Sequence, residues 1–110
     1  MPVTDQSPLA QLFQALGNDV RLRLLALLGP NEVCVCHLVE ALGLPQPLVS
    51  QHLATLRTAG IVTARREGKW MHYRIVEPQT PAARAILDEA MRALRTSGVC
   101  KSDSVSCCGL

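Results

Sequence analysis

The first 60 residues contain four successive stretches in which apolar side chains recur every three or four positions. This spacing places apolar side chains on one face of a helix and polar ones on the other. It predicts helices over about 8–16, 19–28, 34–42 and 47–59. Three residues are predicted as N-caps, because each stands immediately before a helix and two of them precede a proline: Ser7, Asn18 and Gln46.

The period changes between residues 61 and 76, where β-forming residues flank a Glu-Gly turn. Two such runs around a tight turn predict a β-hairpin. Alternation along the second strand assigns three side chains to the core: Met71, Tyr73 and Ile75. The intervening side chains are expected to face solvent or an edge: Trp70, His72 and Arg74. A last apolar stripe predicts a helix that begins at Thr80-Pro81 and ends near Arg95.

The predicted order is therefore four helices, a hairpin and a helix (ααααββα). A short glycine-containing turn at 43–46 joins the third and fourth helices, as in a helix-turn-helix, and the hairpin that follows makes the unit a winged helix. We predict a mainly α fold with a β-hairpin wing over residues 1–96, followed by a flexible cysteine-containing tail, 97–110. The same order also occurs in protein-interaction modules, so the architecture alone leaves DNA binding and protein binding both open.

Composition narrows the class of protein. Aromatic residues are 3% of the chain, which argues against single-strand binding by stacked aromatics. The longest apolar run, 24–28, is far shorter than the roughly 20 residues of a membrane span, and residues 1–11 lack the features of a secretory signal. We expect a cytoplasmic protein whose five cysteines are reduced and act as ligands or sensors. No Ser/His/Asp set, phosphate loop or paired carboxylates indicate an enzyme.

The net charge of +2 is unevenly distributed. Residues 45–76 contain five basic residues and one acid, hence +4, and the remainder of the chain has a net charge of −2. This basic segment suits phosphate contacts, although a solvated basic surface would have the same charge. Three polar side chains of the fourth helix are candidates for reading base edges: Gln46, Ser50 and Gln51. Further candidate DNA contacts are His52, Arg57, Arg65, Arg66 and Lys69, of which His52 lies beside the apolar stripe and suits a half-buried structural position better.

Five segments together closely resemble the ArsR/SmtB family of winged-helix metal-sensing repressors. They are LGNDVRLRLL (16–25), EVCVCHL (32–38), QPLVSQHL (46–53), LRTAGI (56–61) and REGKWMHYR (66–74), within a resemblance that runs from about Leu9 to Leu94. The resemblance implies a homodimer built on the first and last helices. It also implies that the metal-free dimer binds a palindromic double-stranded operator and is released by metal. Cys-Val-Cys at this position is similar to the branch of the family that senses trivalent arsenic and antimony.

Cys34 and Cys36 are the predicted primary ligands. On a regular helix, residues two apart point about 200° away from each other, so both thiolates reach one ion only where the backbone is not regular helix, as at a helix start. We therefore expect ligand binding to distort the first turn of the third helix, which packs against the fourth. The alternative is that both cysteines are small buried apolar residues.

The third ligand is open, because Val39 stands where the family's arsenic site often has another cysteine. Three tail cysteines are candidates for that ligand or for a second site: Cys100, Cys107 and Cys108. Cys34 and His37, one turn apart, would instead suit zinc or another divalent ion, while Asp88 and Glu89 suit a solvated surface. Other hypotheses are a sensor of zinc, cadmium, lead or thiol oxidation, and a thiol metallochaperone or oxidoreductase.

Overall fold

The computed structural model describes residues 7–97, which form five helices and a three-stranded antiparallel sheet. The predicted order of helices and hairpin is confirmed, with one short strand added. The elements are α1 (Pro8–Leu16), α2 (Asp19–Leu28), β1 (Val33–Cys34), α3 (Val35–Leu42), α4 (Gln46–Thr58), β2 (Val62–Glu67), β3 (Trp70–Ile75) and α5 (Pro81–Ser97). Within this part of the chain, no helix combines the length and apolar character needed to cross a bilayer.

Two of the three predicted helix caps are confirmed. The Ser7 hydroxyl accepts a hydrogen bond from the amide of Ala10, and the Asn18 side chain accepts from the amides of Val20 and Arg21. The prediction for Gln46 is wrong, because extended Pro45 is the N-cap and Gln46 is the first helical residue. Pro45 at the N-cap and Pro47 at the second helical position are both tolerated, since the first amides of a helix have no intrahelical partner.

The sheet has the strand order β1-β3-β2, so β1 extends the predicted hairpin on the side of β3. In the register of this pairing, Val33 lies opposite Tyr73 and Cys34 lies opposite His72. The sequence did not predict β1, because two residues are too few to show an alternating pattern. The segment that contains the first candidate ligand is thus part of the same sheet as the wing, which we define as β2, β3 and their connecting turn at 68–69.

The core is built from leucine and small aliphatic side chains, as the composition predicts. The apolar stripe of α4 is fully buried, which fixes the opposite face of that helix toward solvent. It consists of Val49, Leu53 and Leu56. Tyr73 of β3 is buried, and its predicted neighbours Met71 and Ile75 are partly buried against the core.

Part of the apolar stripe of α1 remains uncovered within one chain. Leu12 and Ala15 are buried, whereas Leu9 and Phe13 are 47% and 53% exposed. Single exposed apolar residues are common on protein surfaces. Here, however, two large ones lie one turn apart on the same helix, so α1 presents an apolar patch to solvent.

Candidate DNA-binding face and dithiol site

The two cysteines predicted as ligands lie together at the junction of β1 and α3. Cys34 is the last residue of β1 and the N-cap of α3, with an extended backbone (φ −72°, ψ 142°). Cys36 is in the first turn of α3, and its thiol donates a hydrogen bond to the sulfur of Cys34 over 3.0 Å. We call this pair the dithiol. The expected non-helical backbone is present at Cys34, so the two sulfurs meet without any unwinding of α3. The distortion of the first turn that is expected on ligand binding stays a prediction.

The surroundings of the dithiol are partly apolar. Cys34 is buried, with 6% of its surface exposed, and Cys36 is half-buried. His37 Nδ1 lies 3.6 Å from the Cys36 sulfur. Between residues 7 and 97, no group of three histidine, cysteine or acidic side chains is placed to hold a metal ion. The tail candidates for a third ligand, Cys100, Cys107 and Cys108, lie outside the described residues.

The acidic residues of α5 do not join the dithiol. Asp88 and Glu89 are both exposed, and Glu89 forms an ion pair with Arg92 one turn later on the same helix. This arrangement is the solvated helix surface that the sequence favoured for them.

The exposed face of α4 contains most of the candidate base-reading side chains. Gln46 and Gln51 are exposed and Ser50 is half-buried, on the side of the helix away from the buried stripe. Arg57 is exposed in the last turn of α4. The N-terminal half of a recognition helix is the part that reaches base edges in the major groove, so the three polar side chains suit base contacts. Arg57, at the other end of α4, suits a phosphate contact.

His52 has a structural role on the other side of α4. Its Nδ1 lies 3.1 Å from Arg21 Nη1, and Arg21 also donates to the carbonyl oxygens of Gln14 and Ala15 at the end of α1. Because a guanidinium only donates hydrogen bonds, His52 Nδ1 is assigned as an acceptor and the ring is neutral. Burial, and then the positive charge of Arg21, lower the pKa of His52. The imidazole therefore helps to join α1, α2 and α4, in the half-buried position that the sequence favoured.

We expect the free energy of unfolding to fall as the pH drops below about 6.5, and to fall less in a His52→Asn variant. The unfolded histidine, with its ordinary pKa near 6.5, takes up a proton before the folded one does. Stability that is present above this value is therefore lost as the pH falls through the lower pKa of the folded state. Asparagine keeps an acceptor for Arg21 but does not titrate. Urea unfolding at pH 7.5, 6.5 and 5.5 measures the effect, and equal losses in both proteins would contradict this role for His52.

The wing contains one arginine that is already engaged by carboxylates. Arg65 donates from Nε and Nη2 to the two carboxylate oxygens of Glu32, over 3.0 and 2.7 Å, and its Nη2 lies 3.4 Å from Glu67. This contact lowers the pKa of Glu32, chiefly through the hydrogen bond from Arg65, and raises that of Arg65. The sequence makes Arg65 a candidate DNA contact, and in the structure its guanidinium is bound to an acid 33 residues earlier in the chain.

Two other basic side chains of the wing, those of Arg66 and Lys69, are exposed near its tip. Arg66 donates to the carbonyl oxygen of Gly68, and the ammonium of Lys69 lies 5.4 Å from the centre of the Trp70 ring. Trp70 is itself 47% exposed, as alternation along β3 predicted. Sequence reasoning did not single out Trp70 as a surface contact. The alternation of side chains along β3 was the signal that could have indicated this, since it placed the Trp70 side chain outside the core.

These features define a class of protein. A helix-turn-helix with a basic wing, in which a dithiol begins the helix before the recognition helix, is the architecture of a winged-helix DNA-binding regulator.

Comparison with known proteins identifies the family. Residues 18–64 match the family model described as "Bacterial regulatory protein, arsR family". The chain is 48% identical over 84 residues to the arsenical resistance operon repressor of Escherichia coli (strain K12), covering 74% of this chain and 71% of that protein. It is 41% identical over 83 residues to the HTH-type transcriptional repressor SmtB of Mycobacterium tuberculosis (strain ATCC 25618 / H37Rv), covering 76% of this chain and 60% of that repressor.

A solved structure agrees with these relatives. The homodimeric winged helix-turn-helix DNA-binding domain of a possible ArsR-family regulator from Mycobacterium bovis has a TM-score of 0.64 and 30% identity, covering 86% of this chain and 94% of that domain. The chain belongs to the arsR family of bacterial regulatory proteins. It is a winged-helix transcriptional repressor and not an enzyme.

Proposed function

We propose that this repressor binds a palindromic operator as a homodimer and releases it when trivalent arsenic or antimony binds Cys34 and Cys36. The observation that carries the proposal is the 3.0 Å contact between the two sulfurs at the start of α3. α3 is joined to α4 by the short turn at 43–45, so a change at the dithiol has a short path to the recognition helix. We place this activity in the cytoplasm, where operator DNA is accessible.

The chemistry of the dithiol favours a soft or thiophilic ion. Thiolates bind such ions in preference to hard cations, and trivalent arsenic is satisfied by three sulfur ligands. Two of the three are already adjacent at Cys34 and Cys36. We propose that the third comes from the segment 97–110, as Cys100, Cys107 or Cys108 of the same subunit or the other. The globular domain then covers residues 1–96, and the tail serves ligand binding.

A sensor of zinc or cadmium is a second candidate function. The observation in its favour is the imidazole of His37, whose Nδ1 lies 3.6 Å from the Cys36 sulfur. Mixed thiolate and imidazole ligands are typical of zinc. The similarity to a repressor named SmtB points in the same direction.

The proposed DNA contacts divide into two sets. Gln46, Ser50 and Gln51 on the exposed face of α4 would contact base edges. Arg57, Arg66 and Lys69 are exposed at the end of α4 and on the wing, and would contact phosphates. A palindromic operator would then engage both copies of each set, one from each subunit.

The proposed dimer interface uses α1 and α5. Leu9 and Phe13 leave an apolar patch on α1 that one chain does not cover, and burial of such a patch in a symmetric pair stabilises a dimer. The solved domain from Mycobacterium bovis, which shares the fold, is a homodimer.

Replacement of Gln51 by alanine is expected to weaken the preference for the operator over unrelated DNA by about 1–3 kcal/mol per subunit, the usual contribution of a bidentate contact with a base. Affinity for unrelated DNA is expected to change little, because the side chain carries no charge. Competition of a labelled operator against both DNAs measures the preference. Gln79→Ala is the matched control, since Gln79 is exposed before α5. A preference equal to that of the control would remove Gln51 from the base-reading set.

The proposal as a whole is tested by a gel shift with the DNA upstream of the protein's own gene, titrated separately with arsenite, antimonite, zinc and cadmium. We expect specific binding without additive and release by arsenite or antimonite. Release by zinc or cadmium alone would support the second candidate and refute the arsenic assignment. No specific binding at modest salt would refute the operator-binding repressor.

A further inference from the structure

The dithiol and the wing are connected by residues that lie opposite each other in the sheet. Cys34 of β1 lies opposite His72 of β3, and His72 lies opposite Arg65 of β2. Residues directly opposite each other in antiparallel strands have their side chains on the same face. One row of side chains thus runs from the dithiol across β3 to β2, the outer strand of the wing.

A side-chain contact connects the same two regions a second time. Glu32 stands two residues before Cys34, and both of its carboxylate oxygens accept hydrogen bonds from Arg65 of β2. Because β3 lies between β1 and β2, this contact spans the middle strand. A guanidinium and a carboxylate joined by two bonds have a fixed relative orientation. The orientation of β2 is therefore linked to the position of the residue that leads into β1.

Occupancy of the dithiol must disturb this connection. The thiol proton that joins Cys36 to Cys34 is lost when both sulfurs become ligands, because the thiolate is the ligand. Without this hydrogen bond, which now joins the sulfurs over 3.0 Å, two thiolates that hold one ion would take a separation determined by that ion. β1 has only two residues, and one residue separates Glu32 from Cys34. Because this linking segment is so short, a movement of Cys34 also displaces Glu32.

We propose that Glu32 is a positioning residue whose ion pair with Arg65 transmits occupancy of the dithiol to the wing. With the dithiol empty, the pair holds the wing in its DNA-binding orientation; with the dithiol occupied, the pair is strained or broken and the wing loses that orientation. This role rests on the function proposed above. It adds a path through β1 and the wing to the one through α3 and α4, and it gives Arg65 a task other than direct phosphate contact.

The size of the effect follows from the exposure of the pair. The side chains of Glu32 and Arg65 are 30% and 52% exposed, and exposed ion pairs contribute only modestly because water and salt screen them. We define the release ratio as the operator dissociation constant with saturating arsenite divided by that without it. Loss of the pair is expected to reduce this ratio about two- to fivefold, leaving the α3–α4 path intact.

The test measures the release ratio by fluorescence anisotropy for the wild type, Glu32→Gln, Arg65→Lys and the double variant. Arg65→Lys keeps the charge near DNA but loses the two-bond fork. Glu40→Gln is the matched control, because it removes the same charge from an exposed residue of α3 for which the described part of the chain shows no ion pair. Circular dichroism verifies that each variant folds, and the stoichiometry of arsenite binding verifies that each variant still binds arsenite.

We expect Glu32→Gln and Arg65→Lys to lower the ratio to the same extent, the double variant to lower it no further, and Glu40→Gln to retain it. A ratio for Glu32→Gln equal to that of Glu40→Gln would overturn the proposal, as would a loss in Arg65→Lys alone, which would mean that Arg65 acts directly on DNA. A wild-type ratio of one would instead refute the proposed function and the inference with it. The two failures are therefore distinguishable.

Discussion

A protein with Cys34→Ser or Cys36→Ser is expected to bind the operator normally and to stay bound when arsenite is added. Serine is close to cysteine in size, but its hydroxyl is not a soft ligand, so the two-sulfur site no longer exists. Couplings between two sites are typically about 1–3 kcal/mol, which corresponds to a 5- to 150-fold loss of operator affinity on loading. We expect each variant to lose this entire change, as measured by anisotropy of a labelled operator with and without arsenite.

The tail cysteines provide the comparison for this prediction. Cys100→Ser, Cys107→Ser and Cys108→Ser are each expected to retain part of the response if the other two can substitute as third ligand. Normal release in both Cys34→Ser and Cys36→Ser would contradict the assignment and transfer the site to the tail. Loss of operator binding without arsenite, in a variant that is folded by circular dichroism, would give the dithiol a role in DNA binding that the account does not include.

Operator affinity is expected to fall about a thousandfold between 50 and 200 mM salt. Arg57, Arg66 and Lys69 are exposed on the proposed DNA face. One phosphate contact from each would give a dimer six. Each neutralised phosphate contributes about −0.9 to the slope of log affinity against log salt, and a slope near −5 gives a fall of this size. Titrations at four or five salt concentrations measure the slope.

The contribution of a single basic residue can be separated by Lys69→Gln. We expect the slope to become shallower by about 1.8 in a dimer, since one contact is lost from each subunit. Arg23→Gln is the control, because Arg23 is an exposed basic residue of α2, outside the proposed DNA face and the proposed dimer interface. A slope that changes as much in the control as in Lys69→Gln would show that the wing tip is not a phosphate contact.

The helices could be predicted from the sequence because their determinants are local. The Ser7 and Asn18 side chains cap amides two or three residues away, and the stripe of Val49, Leu53 and Leu56 is buried as its spacing requires. The error at Gln46 is also local: two prolines flank this residue, and the sequence alone did not decide which of the adjacent positions begins the helix.

The contacts that the sequence did not predict join distant segments. Strand β1 exists because Val33 and Cys34 meet β3 about 40 residues later along the chain, and the ion pair of Glu32 with Arg65 spans 33 residues. Neither contact produces a periodic pattern in the sequence, because the tertiary fold determines which distant residues meet. Charge and position in the hairpin therefore make Arg65 a candidate DNA contact, while its carboxylate partner lies in a distant segment.

For the candidate site, spacing predicted that the two sulfurs meet at a helix start, but not that a strand supplies the extended backbone there. The 200° separation applies to a regular helix, whereas Cys34 belongs to a strand and caps the helix that contains Cys36. The identity of the third ligand could not be derived, because Val39 replaces the expected cysteine and the tail has no pattern that fixes its position.

The central claim is that the dithiol and the DNA face are energetically linked, and linkage is reciprocal: if arsenite lowers operator affinity by some factor, the operator must lower arsenite affinity by the same factor. Equilibrium dialysis of arsenite against the protein, alone and saturated with operator DNA, tests this most directly. We predict that the operator weakens arsenite binding by the release ratio measured independently with labelled DNA. An arsenite affinity that is the same with and without operator would contradict the account.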